Sequence, residues 1–141
     1  MGKLSRDFFT GNEVLFVGYS SRNAAFSKQV YQAFMRGGIK VYPLNNKAGG
    51  SYDVKVYRCI SELPKIPECA YVLLNTENAR NAVRELAGSG VKRILFQNKK
   101  SVDEGILNEC KKAGIETVVA CPMMVLGSGL HKLHAFFAGV R

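Results

Sequence analysis

Hydrophobic and polar positions along the chain alternate between two kinds of segment. Val14-Leu15-Phe16-Val17, Ala70-Tyr71-Val72-Leu73-Leu74 and Ile94-Leu95-Phe96 are unbroken apolar runs, and Ile39-Lys40-Val41-Tyr42-Pro43 and Ile115 to Ala120 are nearly so. A run that is apolar at every position, rather than at every second one, predicts a strand covered on both faces, as in a parallel sheet. Between these runs the apolar positions take helical spacing: Phe26, Val30 and Phe34; Ala79, Ala82, Val83, Leu86 and Ala87; Ile106, Leu107, Cys110 and Ala113. The punctuation agrees with that division. Gly18 breaks the first run, Gly37-Gly38 ends a helix over about 24–36, Gly88-Ser89-Gly90 and Gly114 end the second and third helices, and Cys121-Pro122 stops the last strand. Asn75 or Thr76 is the natural N-cap of the second helix, and Ser101-Val102-Asp103-Glu104 has capping-box spacing for the third.

Weaker signals fill the remainder. Residues 3 to 10 read as a short amphipathic helix with Leu4 and Phe8 on one side, Val54 to Tyr57 as a short extra strand, and Ser61 to Pro64 as one helical turn. A final amphipathic helix runs from about Ser128 to Phe137. Strands alternating with helices at this spacing predict a three-layer, doubly wound, parallel α/β sheet of Rossmann-like type. No repeat or break in composition divides residues 1–141, so one domain is expected, with 1–11 as an N-terminal helical extension and 127–141 as a C-terminal helix.

Composition narrows the classes of function. No window approaches the eighteen consecutive apolar residues of a membrane span, and the N-terminus lacks the apolar core of a secretory signal, so a cytoplasmic protein is expected. Twenty Lys and Arg against eleven Asp and Glu leave a net charge of +9, which favours an anionic partner. A nucleic acid and a phosphorylated cofactor both qualify. Lys99-Lys100 and Lys111-Lys112 are only pairs, however, with no basic block interleaved with aromatics, so nucleic acid is the weaker candidate. Cys59, Cys69, Cys110 and Cys121 stand singly, without the Cys-x-x-Cys of a zinc or redox site, and read as reduced thiols.

The first strand, its turn and the first helix form the start of a mononucleotide-binding unit, whose turn presents backbone N–H groups at the carboxyl edge of the sheet. A dinucleotide fingerprint needs two further glycines in that turn, and Ser20 and Asn23 occupy their places. It also needs a carboxylate after the second strand, where this chain has Pro43-Leu44-Asn45-Asn46-Lys47. An ordinary NAD site is therefore disfavoured. Lys47, together with Ser20, Arg22 and Lys28 near the first turn, suits a ligand with several phosphates including one on the ribose, such as NADP or coenzyme A.

Val17-Gly18-Tyr19-Ser20 resembles the Val-Gly-Ala-Ser turn of the small CoA-binding domain proteins, single Rossmann-type domains similar to the CoA-binding part of the succinyl-CoA synthetase alpha subunit. The likeness continues through Val41-Tyr42-Pro43-Leu44-Asn45, the Leu74-Asn75-Thr76 corner, Gln97, and Cys121-Pro122-Met123-Met124-Val125, and covers roughly residues 12 to 126. The resemblance implies that Gly18, Tyr19 and Ser20 lie in the pyrophosphate turn, with Gly18 and Ser20 holding the group through N–H and hydroxyl and Arg22 or Lys28 adding charge. It places Asn45 and Lys47 beside the adenosine and its 3′-phosphate, and Leu74, Asn75, Thr76 and Gln97 along the rest of the ligand. Two departures are the missing Pro-rich continuation of the first turn and Asn98 where the family commonly has Gly.

No catalytic constellation stands out. The synthetase reaction needs a phosphorylated histidine on a further domain, so that activity is not expected. His131 and His134 share one face of the final helix and read as surface or packed residues rather than metal ligands. Cys121 ends a strand at the ligand-binding edge, where a thiolate can exchange with a CoA disulfide. Glu77, at a helix start, complements the helix dipole. The sequence thus reads as a protein that binds coenzyme A or an acyl-CoA in a sensing, carrier or regulatory role, alone or with a protein partner or second copy. An NADP-dependent oxidoreductase or redox-sensing domain and a basic nucleic-acid-binding protein are the alternatives.

Overall fold

The computed structural model describes residues 8–19, 24–45, 54–99, 102–124 and 126. Five parallel strands form one sheet: β1 (Glu13–Val17), β2 (Lys40–Leu44), β3 (Cys69–Val72), β4 (Arg93–Phe96) and β5 (Glu116–Val119), in the order β2-β1-β3-β4-β5. Three helices connect them: α1 (Ala24–Arg36), α2 (Thr76–Leu86) and α3 (Glu104–Lys112). The predicted doubly wound sheet is the observed one. No helix among the described residues is long and apolar enough to cross a membrane.

Period-two alternation sends neighbouring strand residues to opposite layers. Val14 and Phe16 of β1, Val41 of β2, Tyr71 of β3, Leu95 of β4 and Val118 of β5 pack with Val30, Ala33 and Phe34 of α1, and Phe8, Phe9 and Leu126 close the same layer. Edge-to-face ring pairs run through it, with Phe16 and Tyr71 at 4.9 Å and Phe9 and Phe34 at 5.4 Å between centroids. Leu15, Val17, Ala70, Val72, Ile94 and Phe96 face the other way, onto Ala79, Val83 and Leu86 of α2 and Ile106 and Cys110 of α3. Both faces being covered is why these strands are apolar throughout.

Several local expectations are corrected. Residues 54–57 do not form a strand: the segment meets β2 in a single parallel bridge, Leu44 to Tyr57. The Tyr57 N–H donates to the Pro43 carbonyl at 2.9 Å and the Asn45 N–H to the Tyr57 carbonyl at 2.9 Å. Extending the ladder upstream would require an N–H from Pro43, which has none, so pairing stops after one step. The third helix is capped by Asp103, whose carboxylate accepts the Ile106 N–H at 2.9 Å, instead of opening with a Ser101–Glu104 capping box. Ala87 is the exposed C-cap of α2 and falls outside its buried stripe of Ala79, Val83 and Leu86. Asn75 caps α2, its side chain accepting the Asn78 N–H at 2.8 Å. Phe8 and Phe9 are both buried, whereas residues 3–7 of the expected N-terminal helix and the whole helix over 128–137 lie outside the described residues.

Candidate functional site

The strand register brings the carboxyl ends of all five strands into one row: Val17 pairs with Leu44 and with Val72, Val72 with Phe96, and Phe96 with Val119. One more step is taken across the rim. The Gly18 N–H donates to Leu44 at 2.8 Å, Leu73 to Val17 at 2.9 Å, Gln97 to Val72 at 3.2 Å and Ala120 to Phe96 at 2.9 Å. Asn45, Gly18, Leu73, Gln97 and Ala120 therefore form the next row, on the side that faces the α1 layer, where Leu73 and Ala120 pack. Three of the five, Gly18, Asn45 and Gln97, are residues that the sequence assigned to ligand binding from separate motifs. Because β1 lies between β2 and β3, the chain leaves it in opposite directions at this rim, and such a switch point opens a crevice between β1 and β3.

Gly18 sets the width of that crevice. Its φ is +98°, and a β-carbon there would stand 2.3 Å from the Leu73 carbonyl oxygen and 2.8 Å from Leu74 Cδ2. The glycine is thus required by the close approach of β3. Its own N–H is committed to Leu44, so the expected N–H contact from Gly18 to a pyrophosphate is replaced by a positional role. Tyr19 follows with its ring buried against Phe16, at 5.3 Å between centroids, and Tyr31, at 5.8 Å. Only its backbone faces the rim, and its carbonyl accepts Asn45 Nδ2 at 2.8 Å.

The remaining predicted residues are spread along the same edge. Leu74 is half-buried beside Gly18. Asn75 spends a side-chain oxygen on the α2 cap, and Thr76 is the first residue of that helix. Gln97 Oε1 accepts the Tyr71 hydroxyl at 2.5 Å, joining β3 to the end of β4. Lys28 is exposed on the second turn of α1. Ser20, Arg22 and Lys47 lie outside the described residues.

Two contributors were not singled out by sequence reasoning. Tyr57 pins the end of β2 from its outer side, and its signal was the aromatic that ends the Val54–Tyr57 pattern. Tyr71 sits in an apolar run, yet its phenol reaches the rim; burial, with Cys121 adding to it, drives its hydroxyl pKa well above the ordinary tyrosine range, so it stays a neutral donor to Gln97. Cys121, half-buried beyond β5, belongs to the same corner. Cys110, in contrast, is buried between α3 and the sheet, and burial followed by the nearby Glu109 pushes its thiol up to about 11. Cys69 donates its thiol to the Phe8 carbonyl at 2.8 Å. Among the described residues no group of three or more His, Cys, Asp or Glu side chains is placed to hold a metal ion. An open groove lined by Leu107, Lys111, Ile115 and Thr117 lies between α3 and β5, and none of the predicted residues lines it.

What the rim offers chemically is a narrow, glycine-walled crevice with amide groups on its sides. Comparison with known proteins follows the same line. The chain is similar to a conserved hypothetical protein of Pyrococcus furiosus, at 22% identity and a TM-score of 0.66 over 86% of this chain and 97% of that one. It is similar to a protein of Thermus thermophilus at 15% identity and a TM-score of 0.70, over 88% and 90% of the two chains. A third likeness is to a dinucleotide-forming acetyl-coenzyme A synthetase of Candidatus Korarchaeum cryptofilum, at 18% identity and a TM-score of 0.65, covering 81% of this chain but only 27% of that one. At these identities the three establish the fold alone. No curated protein matches the sequence. The model of the CoA binding domain matches residues 12–127, from the start of β1 to beyond the last described residue, and the chain belongs to that family.

Proposed function

We propose that this protein binds coenzyme A or an acyl-CoA at the carboxyl edge of its sheet and serves as a sensor, carrier or regulator rather than as a catalyst. The observation that carries the reading is that the CoA binding domain family spans residues 12–127, and so includes every element that meets at the crevice between β1 and β3. In this reading the pyrophosphate lies against the turn that starts at Gly18, with Ser20 and with Arg22 or Lys28 supplying hydroxyl and charge. Asn45 and Lys47 lie on the side of the adenosine and its 3′-phosphate, and Leu74, Asn75, Thr76 and Gln97 border the rest of the molecule. The net charge of +9 favours so anionic a ligand.

Thermal unfolding with and without CoA, 3′-dephospho-CoA, acetyl-CoA, NADPH and NADH, each at the same millimolar concentration, tests the proposal. A ligand at 100 times its Kd stabilises the native state by about 2.7 kcal/mol, which moves the midpoint by several degrees in a domain of this size. CoA is expected to raise the midpoint, and 3′-dephospho-CoA to raise it less. A shift with NADPH and none with any CoA compound overturns the assignment.

A further inference from the structure

Asn45, on the rim, ties three segments together. Its side-chain Nδ2 reaches across to the Tyr19 carbonyl at 2.8 Å, a contact 26 residues apart in sequence. Its backbone N–H holds the Tyr57 carbonyl at 2.9 Å, and the residue before it accepts the Gly18 N–H at 2.8 Å. The end of β2, the first turn and the segment ending at Tyr57 are thereby fixed on one another. We infer that Asn45 is a positioning residue for the anionic part of the ligand, acting through the Tyr19 carbonyl, and that its effect is on the pyrophosphate rather than on the 3′-phosphate. The inference rests on the CoA reading above.

The physical basis is the direction of one peptide dipole. β2 and β3 flank β1 on opposite sides, so a Tyr19 carbonyl held by Asn45 points its negative end toward β2 and away from the crevice between β1 and β3. Removing Asn45 Nδ2 removes this restraint, and a carbonyl oxygen turned toward that crevice would repel a phosphate there. A direct contact between Asn45 and the 3′-phosphate would act on a different part of the ligand. That difference is measurable.

The test is titration calorimetry of wild type, Asn45→Ala and Asn45→Leu with CoA, with 3′-dephospho-CoA and with adenosine 3′-phosphate, alongside thermal midpoints. Both variants keep the backbone N–H to Tyr57, and the leucine preserves the volume should the alanine fail to fold. Losing one side-chain hydrogen bond that orients the turn is expected to weaken binding about 5- to 10-fold. The expected result is the same factor for CoA and 3′-dephospho-CoA and no loss for adenosine 3′-phosphate, which lacks the pyrophosphate; an equal loss with adenosine 3′-phosphate overturns the inference in favour of a direct adenosine contact. A loss seen with CoA and absent with 3′-dephospho-CoA overturns the inference in favour of a direct 3′-phosphate contact. Unchanged affinities with a lowered midpoint overturn it in favour of a purely structural brace. Wild-type protein that binds neither CoA nor 3′-dephospho-CoA overturns the CoA reading itself, and this inference with it, and is told apart from the other outcomes before any variant is made.

Discussion

At Gly18 two demands meet on a single residue. The backbone there has φ +98°, and the Leu73 carbonyl lies where a β-carbon would need to be. Alanine at this position combines an unfavourable backbone conformation with a clash against rigid backbone, each worth about 1–3 kcal/mol. Gly18→Ala is therefore expected to lower the unfolding free energy by about 2–6 kcal/mol, measured by urea denaturation. A loss below about 1 kcal/mol would mean that β1 and β3 can part at the rim at little cost. The residue was legible as a turn glycine from its place after Val14–Val17, but the reason for it was not. Sequence alone pointed to a phosphate, whereas the structure shows a strand, because which strand lies beside β1 is a fact of topology and not of local pattern. Tyr19 shows the same limit: spacing placed it in the turn, and only packing shows its ring turned inward onto Phe16 and Tyr31.

Among the elements, those defined by strong periodicity were read closely. The helix expected from about Ala24 to Arg36 and the strand Arg93–Phe96 match the observed bounds, since glycines or charged residues mark their ends. Of the boundaries that depend on one side-chain contact, the Asn75 cap of α2 was legible and the start of α3 was not. Its cap is Asp103, which accepts the Ile106 N–H and pairs with Arg80 from α2. The Ile106 N–H, ahead of the Arg80 guanidinium, holds the Asp103 carboxyl below the usual carboxylate range, although partial desolvation opposes this. A carboxyl whose folded pKa is depressed stabilises the native state above its unfolded value, near 3.8, and loses that contribution as pH falls through the folded value. Asp103→Asn keeps a capping oxygen but removes the charge. The variant should melt below wild type at pH 7, and the two midpoints should converge as pH drops below about 4. A gap that persists unchanged at pH 3 would show that the charge of Asp103 contributes nothing to α3.

For the whole molecule, alternation of apolar runs with helical stretches was enough to reach the doubly wound sheet, because parallel strands need crossover helices and leave few arrangements open. Strand order and the shared rim of Asn45, Gly18 and Gln97 came only from the register. Net charge is the other property of the whole, and it sets two slopes of opposite sign. Five of the eleven acidic residues, Glu13, Glu68, Asp103, Glu109 and Glu116, are paired with Lys or Arg among the described residues. All five pairs are at least partly solvent-exposed, so each contributes little to stability. Pairs within 4 Å lie well inside the Debye length of about 10 Å at 0.1 M salt, whereas repulsion among charges spread over a domain with a radius of gyration of about 14 Å does not. Salt therefore screens the net repulsion of +9 before it weakens the pairs, and the midpoint of the ligand-free protein should rise between 10 and 150 mM NaCl. The same screening weakens attraction to a polyanionic ligand, so the dissociation constant for CoA should rise over that range. If the ligand-free midpoint falls instead, the ion pairs outweigh the excess positive charge. If the CoA affinity is independent of salt while the midpoint rises, the basic residues stabilise nothing in the complex, and recognition rests on the uncharged amide groups of the rim.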